Sequence, residues 1–218
     1  MNASEEALYS TKGAGSEEVL IIPSKKRYYL GLKQIADFIF ALIGFIITLP
    51  ILLIFCVLIK LESKGPAFFL QERVGLNGEN FFVIKLRSMD INAEKNGAQW
   101  ASKNDPRVTR IGAFIRKTRI DEIPQLINIL KGEMSLIGPR PERPIFTEQF
   151  SKEIVGFKNR LVVKPGLTGW AQVNGGYDIT PKEKLKLDLY YIKHFNATMD
   201  LKIILKTVKV VFTGDGAR

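Results

Sequence analysis

Residues 103–143 read KNDPRVTRIGAFIRKTRIDEIPQLINILKGEMSLIGPRPER, and most of the chain's readable chemistry lies within them. Asp121 and Glu122 stand side by side, with Arg107, Arg110, Arg116, Lys117 and Arg119 upstream and Arg140 and Arg143 downstream. Ile123, Leu126, Ile127 and Leu130 recur at the three-and-four spacing of one helix face. Gly132 follows where a left-handed cap ends a helix. Pro124 is tolerated only in a first turn, where a missing N–H costs nothing, so the spacing predicts a helix of about two to three turns starting between Asp121 and Ile123. The acidic pair is thus expected at a helix N-terminus. Free N–H groups and the positive end of the helix dipole keep carboxylates ionised there and favour a phosphate docking nearby.

Composition bounds what this cluster serves. A chain of 218 residues with 46% hydrophobic residues can bury one real core, with an appended segment. The net charge of +10 points to an anionic partner: nucleic acid, an acidic membrane surface or a phosphorylated small molecule. One cysteine, Cys56, excludes an internal disulfide, and one histidine, His194, argues against a histidine-based metal cluster or triad. Both are read as bystanders. Catalysis, if present, must run on carboxylates, lysine and arginine.

Residues 1–27, rich in Gly, Ser and Glu around an isolated apolar run, read as a disordered tail that does not have the form of a signal peptide. Residues 28–62 form the membrane segment. Within it Phe38–Ile59, FIFALIGFIITLPILLIFCVLI, is uncharged and about as long as the 20 residues that cross a bilayer. Pro50 removes a backbone hydrogen bond and clashes with the carbonyl of Ile46, which predicts a bend. Basic residues flank both ends, Lys25, Lys26, Arg27 and Lys33 before and Lys60, Lys64, Arg73, Lys85 and Arg87 after, and so favour the same side of the membrane for both. A re-entrant helix that leaves on the face it entered meets both conditions, with Thr48 bonding a carbonyl freed at the bend. The competing reading is a simple span kinked at the proline.

Residues 63–218 are expected to form a cytoplasmic domain. Ala67–Val74 and Asn80–Leu86 flank a Gly75–Gly78 turn as a β-hairpin carrying Arg73, Lys85 and Arg87. Residues 89–102 read as helix or long loop. Thr109 caps a helix running through Arg119 that buries Ile111, Phe114 and Ile115. Pro165–Gly166 suits a type II turn between two extended pieces, with Trp170 packed over them. Helices are expected over 182–195 and 200–212. The second carries Leu201, Ile204, Leu205, Val208, Val211 and Phe212 opposite Lys202, Lys206 and Lys209, the form of a helix on an anionic membrane; packing on the core is the alternative.

Seven segments, SKGPAFF at 63–69, QERVG at 71–75, KLRSM at 85–89, NDPRVTRIG at 104–112, DEIPQL at 121–126, GPRP at 138–141 and KPGLTGWAQV at 164–173, carry a resemblance. Their order and content closely resemble the bacterial sugar transferase family, the monotopic polyprenyl-phosphate phosphoglycosyl transferases, and the likeness runs from Lys26 to Val211. The resemblance implies transfer of a sugar-1-phosphate from a UDP-sugar to membrane polyprenyl (undecaprenyl) phosphate, with release of UMP and with Mg²⁺. It makes Asp121 the nucleophile of a covalent phosphosugar intermediate and Glu122 the dyad's second member, holding Mg²⁺. It makes Arg140 a phosphate-binding residue, with Lys85 and Arg87 as weaker phosphate candidates, and it brings Asp188 and Asp200 near the site. One departure stands out: some relatives place serine directly before the membrane proline, where this chain has Leu49.

The implied architecture is an α-rich α/β single domain on the cytoplasmic face of a bacterial inner membrane, held by the re-entrant helix and amphipathic helices. Its partners are the UDP-sugar, polyprenyl phosphate and the membrane; no nucleic-acid motif is present, and self-association, the sugar and the glycan pathway are open. Two alternatives differ in mechanism. A membrane-anchored polyanion-binding or scaffolding protein would tolerate neutral residues at 121 and 122, and a direct single-step transferase would differ only in its kinetics.

Overall fold

The computed structural model describes residues 9–10, 19–20, 22, 24–95, 97, 105–175 and 179–213. Tyr9–Ser10 (β1) pairs antiparallel with Val19–Leu20 (β2). One long helix follows, Ser24–Glu62 (α1), so the tail boundary expected at residue 27 falls inside a helix. Residues 1–8 and 11–18 of that tail lie outside the described residues.

α1 runs without interruption through Pro50, where the sequence predicts a bend. Its 39 residues span about 58 Å at 1.5 Å per residue, roughly twice a bilayer's hydrocarbon core. Asp37, Ala41, Leu52 and Ile59 are buried, with Phe45, Phe55 and Cys56 partly so, at the spacing of a single helix face. That face lies along the domain. Residues on the other faces, Ile43, Ile46, Ile47, Leu53, Ile54 and Val57 among them, are exposed, although the helix is long and apolar enough to cross a membrane. Thr48 donates to the Gly44 carbonyl at 2.7 Å, not to the Ile46 carbonyl that the proline leaves without a donor. Both ends are tied down. Lys33 meets Asp37 at 3.2 Å and Ser135 at 2.6 Å, and the Glu62 carboxylate accepts from the backbone N–H groups of Arg110 and Ile111.

The hairpin forms as Phe68–Val74 (β3) and Asn80–Leu86 (β4), antiparallel, with Asn77 at φ 55° in its turn. Its inner face packs Phe81 and Val83 against α1 and the helix Gln125–Leu130, labelled α3 below. Residues 91–95 are turns, and much of the segment to residue 104, Asn104 included, lies outside the described residues. Thr109 accepts from Gly112 N–H and caps Arg110–Lys117 (α2), as expected. Phe114, however, is exposed and stacks on Phe55 of α1.

The helix expected from Asp121 is shorter and later. Ile120–Glu122 is a 3-10 turn, and α3 spans only Gln125–Leu130, with Pro124 as its N-cap and Gly132 at φ 78° beyond its end. Ser135–Ile137 (β5) then pairs parallel with Gly166–Thr168 (β6). Gly166 therefore lies in a strand, not at the left-handed corner of a type II turn. What its missing Cβ permits is close passage of the Gly138 backbone. Pro144–Glu153 (α4), Trp170–Asn174 (α5), Pro181–His194 (α6) and Ala197–Thr213 (α7) complete the order. Trp170 packs on the core and stacks on Tyr190. On α7, Ile203 is fully buried while Leu201, Ile204, Leu205, Val208 and Val211 are exposed, so the apolar stripe is not spent on the core.

Candidate active site

Backbone geometry places the acidic pair. Arg119 adopts φ 60°, a left-handed conformation that costs a non-glycine residue about 1 kcal/mol or more, and so turns the chain out of α2 into the 3-10 turn carrying Asp121 and Glu122. The dipole of a full helix does not act on the pair. Side-chain cations govern it.

Glu122 is locked. Lys85, on the inward face of β4, reaches its Oε1 at 3.2 Å, and Arg140 grips both oxygens, Nη1 to Oε2 at 3.4 Å and Nη2 to Oε1. Burial alone raises its pKa, but Arg140 and Lys85 more than reverse that and hold it well below the carboxylate range. Asp121 behaves oppositely. It is 8% exposed and makes no hydrogen bond or ion pair among the described residues. Burial, then the Glu122 anion, push its carboxyl up to about 6 against the pull of Lys85, Arg116 and Arg140. The expectation of two carboxylates kept ionised by a helix end is thus corrected: one is pinned as an anion, while the other titrates near neutrality with its oxygens uncommitted.

Arg140 is itself held from behind. Its carbonyl accepts from Arg160 Nη2 at 2.7 Å, and Arg160 pairs with Asp188 at 2.7 Å with both side chains almost wholly buried. Asp188 therefore supports the Arg140 loop and does not face the acidic pair. Glu142, two residues on, pairs with Lys184 of α6 and accepts Val74 N–H through its own carbonyl, while Arg73 donates to the Pro141 carbonyl at 2.8 Å. Arg73 is driven down to about 10 by burial and by Arg140.

Two further residues named from the sequence lie elsewhere. Arg87 donates Nε, Nη1 and Nη2 to the carbonyls of Pro66, Lys64 and Ser63, so its guanidinium is spent clamping the loop after α1 and is not offered to phosphate. Asp200 accepts from Tyr29 and Tyr191, both at 2.9 Å, and lies 3.6 Å from Lys33, in a separate buried network. Arg160 and Lys184 were not legible as site residues. Their one signal is the i,i+4 spacing of Lys184 and Asp188, which sets both on one face of α6.

The cluster suits an anion beside an uncommitted carboxyl. Arg116 Nη1 and Gln125 Nε2 are buried donors without a partner among the described residues, and both are chemically suited to phosphate oxygens. No group of three acidic, histidine or cysteine side chains exists among the described residues to cage a metal. Mg²⁺ shared with a diphosphate needs only one or two carboxylates, and Glu122 retains about one of roughly four lone-pair positions after Lys85 and Arg140 take theirs. The residues therefore fit a metal that arrives with its phosphates.

A family model described as "Bacterial sugar transferase" matches residues 28–214. An Aeromonas hydrophila protein named UDP-N-acetylgalactosamine-undecaprenyl-phosphate N-acetylgalactosaminephosphotransferase is 48% identical over 87% of this chain and 46% of its own length. An Escherichia coli (strain K12) protein named UDP-glucose:undecaprenyl-phosphate glucose-1-phosphate transferase is 39% identical over 85% of this chain and 41% of its own. Galactosyl transferase CpsE of Streptococcus agalactiae serotype III (strain NEM316) is 42% identical over 88% and 45%. The chain thus spans less than half the length of each of these three relatives.

Proposed function

This chain belongs to the bacterial sugar transferase family, and from that premise we propose that it transfers a sugar-1-phosphate from a UDP-sugar to polyprenyl phosphate in two steps through Asp121. The observation that carries the reading is the contrast within the dyad, Asp121 uncommitted and titrating at about 6 beside a pinned Glu122. In the first step an Asp121 carboxylate oxygen attacks the sugar-bearing phosphorus. The bond from that phosphorus to the bridging oxygen breaks, and UMP departs with the electron pair. In the second, a phosphate oxygen of the lipid attacks the same phosphorus and Asp121 is returned as a carboxylate. Lys85 and Arg140, neutralised by Glu122 in the resting site, orient the phosphates, and Arg116 and Gln125 supply donors to the equatorial oxygens. Mg²⁺, held by Glu122, would neutralise charge on the diphosphate and its leaving group.

We place the domain on the cytoplasmic face of the bacterial membrane. The ties at Lys33 and Glu62, which fasten α1 to one domain on both sides of Pro50, support a monotopic seat with both ends of the helix on one side, and the exposed stripe of α7 supports a second contact with the surface. The three relatives are named for three different sugars, so a donor screen must include UDP-N-acetylgalactosamine, UDP-glucose and UDP-galactose. The test is UMP release. With UDP-sugar and Mg²⁺ but no lipid, up to one UMP per site is expected, with a phosphosugar mass on the Asp121 peptide and parallel-line steady-state kinetics. Intersecting lines with no UMP before lipid addition would leave direct transfer as the mechanism, and full turnover by Asp121→Asn would remove Asp121 as nucleophile.

A further inference from the structure

A cavity of about 480 Å³ lies between the first turns of α1, the 162–164 segment and the hairpin tip. It falls within the roughly 300–1,000 Å³ of small-ligand sites. None of Asp121, Glu122, Lys85, Arg140, Arg73 or Arg116 lines it. Its walls join apolar side chains, Leu30, Leu76, Val162 and Phe195 among them, to three cations, Arg27, Lys33 and Lys164. Lys33 lies between two carboxylates, Asp37 at 3.2 Å and Asp200 at 3.6 Å. Arg27 and Lys164 make no hydrogen bond or ion pair among the described residues. The cavity therefore offers an apolar interior beside Arg27 and Lys164, two cations without an ion-pair partner among the described residues, and Asp37, paired with Lys33, is the one carboxylate in its wall; this complements an amphiphile with an anionic head.

Position says which amphiphile. Arg27 and Leu30 precede the uncharged run at Phe38 by about two to three helical turns. Leu32 and Ile35 beside them are exposed. On the membrane seat proposed above, on which this inference rests, the cavity sits at headgroup level, where basic pockets select anionic lipids. We infer that it holds an anionic phospholipid, its phosphate between Arg27 and Lys164 and the upper part of one acyl chain against Leu30, Val162 and Phe195. This lipid is not a substrate, because no residue of the acidic cluster reaches the cavity. It fastens the first turns of α1 to the 162–164 segment.

The test uses the full chain in detergent, with dioleoylphosphatidylglycerol or dioleoylphosphatidylcholine added at equal concentration and retained lipid read by native mass spectrometry. Phosphatidylglycerol is expected to be kept preferentially. Arg27→Gln with Lys164→Gln should weaken its retention about tenfold or more, as two cations facing an anionic head are lost. Val162→Trp, which fills the apolar half, should lower retention of the same lipid, and Lys182→Gln with Lys186→Gln, two exposed lysines of α6, should leave it unchanged. Lipid-free thermal unfolding confirms that each variant is folded. Equal retention of both lipids, undiminished retention by the double variant, or displacement by inorganic phosphate or UMP would overturn the proposal. Flotation on neutral vesicles separates the premise: failure of the native chain to float refutes the membrane seat, whereas lipid selectivity in detergent reports on the cavity alone.

Discussion

At the scale of the residue, the two members of the dyad have opposite linkage to pH. The folded chain raises the Asp121 pKa from near 4 to about 6, so its contribution to stability is full below pH 4 and is lost as pH rises through 6. Asp121→Asn abolishes that loss. The variant is expected to unfold at higher temperature than the native chain at pH 8, by up to about 3 kcal/mol in stability, and to match it near pH 3. Scanning calorimetry at the two pH values checks this, and an unchanged difference between them would contradict the raised carboxyl. The same titration sets activity: kcat/KM for UMP release should rise with pH through about 6 as Asp121 ionises, then level off. Glu122 runs the other way. Its lowered pKa contributes stability above the ordinary carboxylate range that is lost on acidification, and Glu122→Gln leaves Lys85 and Arg140 facing each other without their anion. A destabilisation of about 3 kcal/mol at pH 7.5 is expected by urea titration, with activity partly recovered at high Mg²⁺.

At the scale of the element, local patterns were legible where one periodicity or one cap decided the outcome. The hairpin and the Thr109 cap follow directly from alternating apolar residues and a capping hydroxyl, and α6 falls within one residue of the helix expected over 182–195. The dyad's own element was not legible, because a left-handed Arg119 breaks the helix that Ile123, Leu126 and Leu130 imply and no side-chain pattern announces a positive φ. Nor was Arg87, whose role depends on three carbonyls brought to it by the loop after α1. For α1, the proline at position 50 and the contacts that hold its two ends lead to different outcomes. If proline alone set the topology, Pro50→Leu would carry the N-terminus across the membrane in a fraction of molecules. With Lys33 bound to Asp37 and Ser135 and with Glu62 capping α2, Pro50→Leu alone should keep both ends on one side. Pro50→Leu combined with Lys33→Leu and Glu62→Ala should release them. Labelling of single cysteines placed at Tyr28 and Lys64 by an impermeant maleimide, in a Cys56→Ser background, reads both cases; crossing by Pro50→Leu alone would return the decision to the proline.

At the scale of the whole molecule, charge and apolar surface make separable contributions to where the chain sits. The chain carries +10, which attracts an anionic bilayer from a distance but is screened beyond about 8 Å at physiological salt. The exposed faces of α1 and α7 act only on contact and do not depend on salt. The sequence announced both, since apolar run and charge are each additive over residues. It did not announce that α1 lies along the domain by the face through Asp37, Ala41, Leu52 and Ile59, because packing depends on partners scattered from Ala67 to Met134. That arrangement leaves Ile43, Ile46, Ile47, Leu53, Ile54 and Val57 exposed on the faces of α1 turned away from the domain. The expected behaviour is therefore two-sided. Raising NaCl from about 50 mM to about 500 mM should slow association with phosphatidylglycerol vesicles several-fold in stopped-flow, as the Debye length shortens. The fraction bound at equilibrium should barely change, since burial of the apolar face holds the chain once it has arrived. Replacing Ile46 and Ile47 of α1 by Asp should reverse the pattern, with association still fast at low salt but the chain released at high salt. Release of the native chain by salt alone would show that α1 does not enter the bilayer and that the molecule is held by its charge.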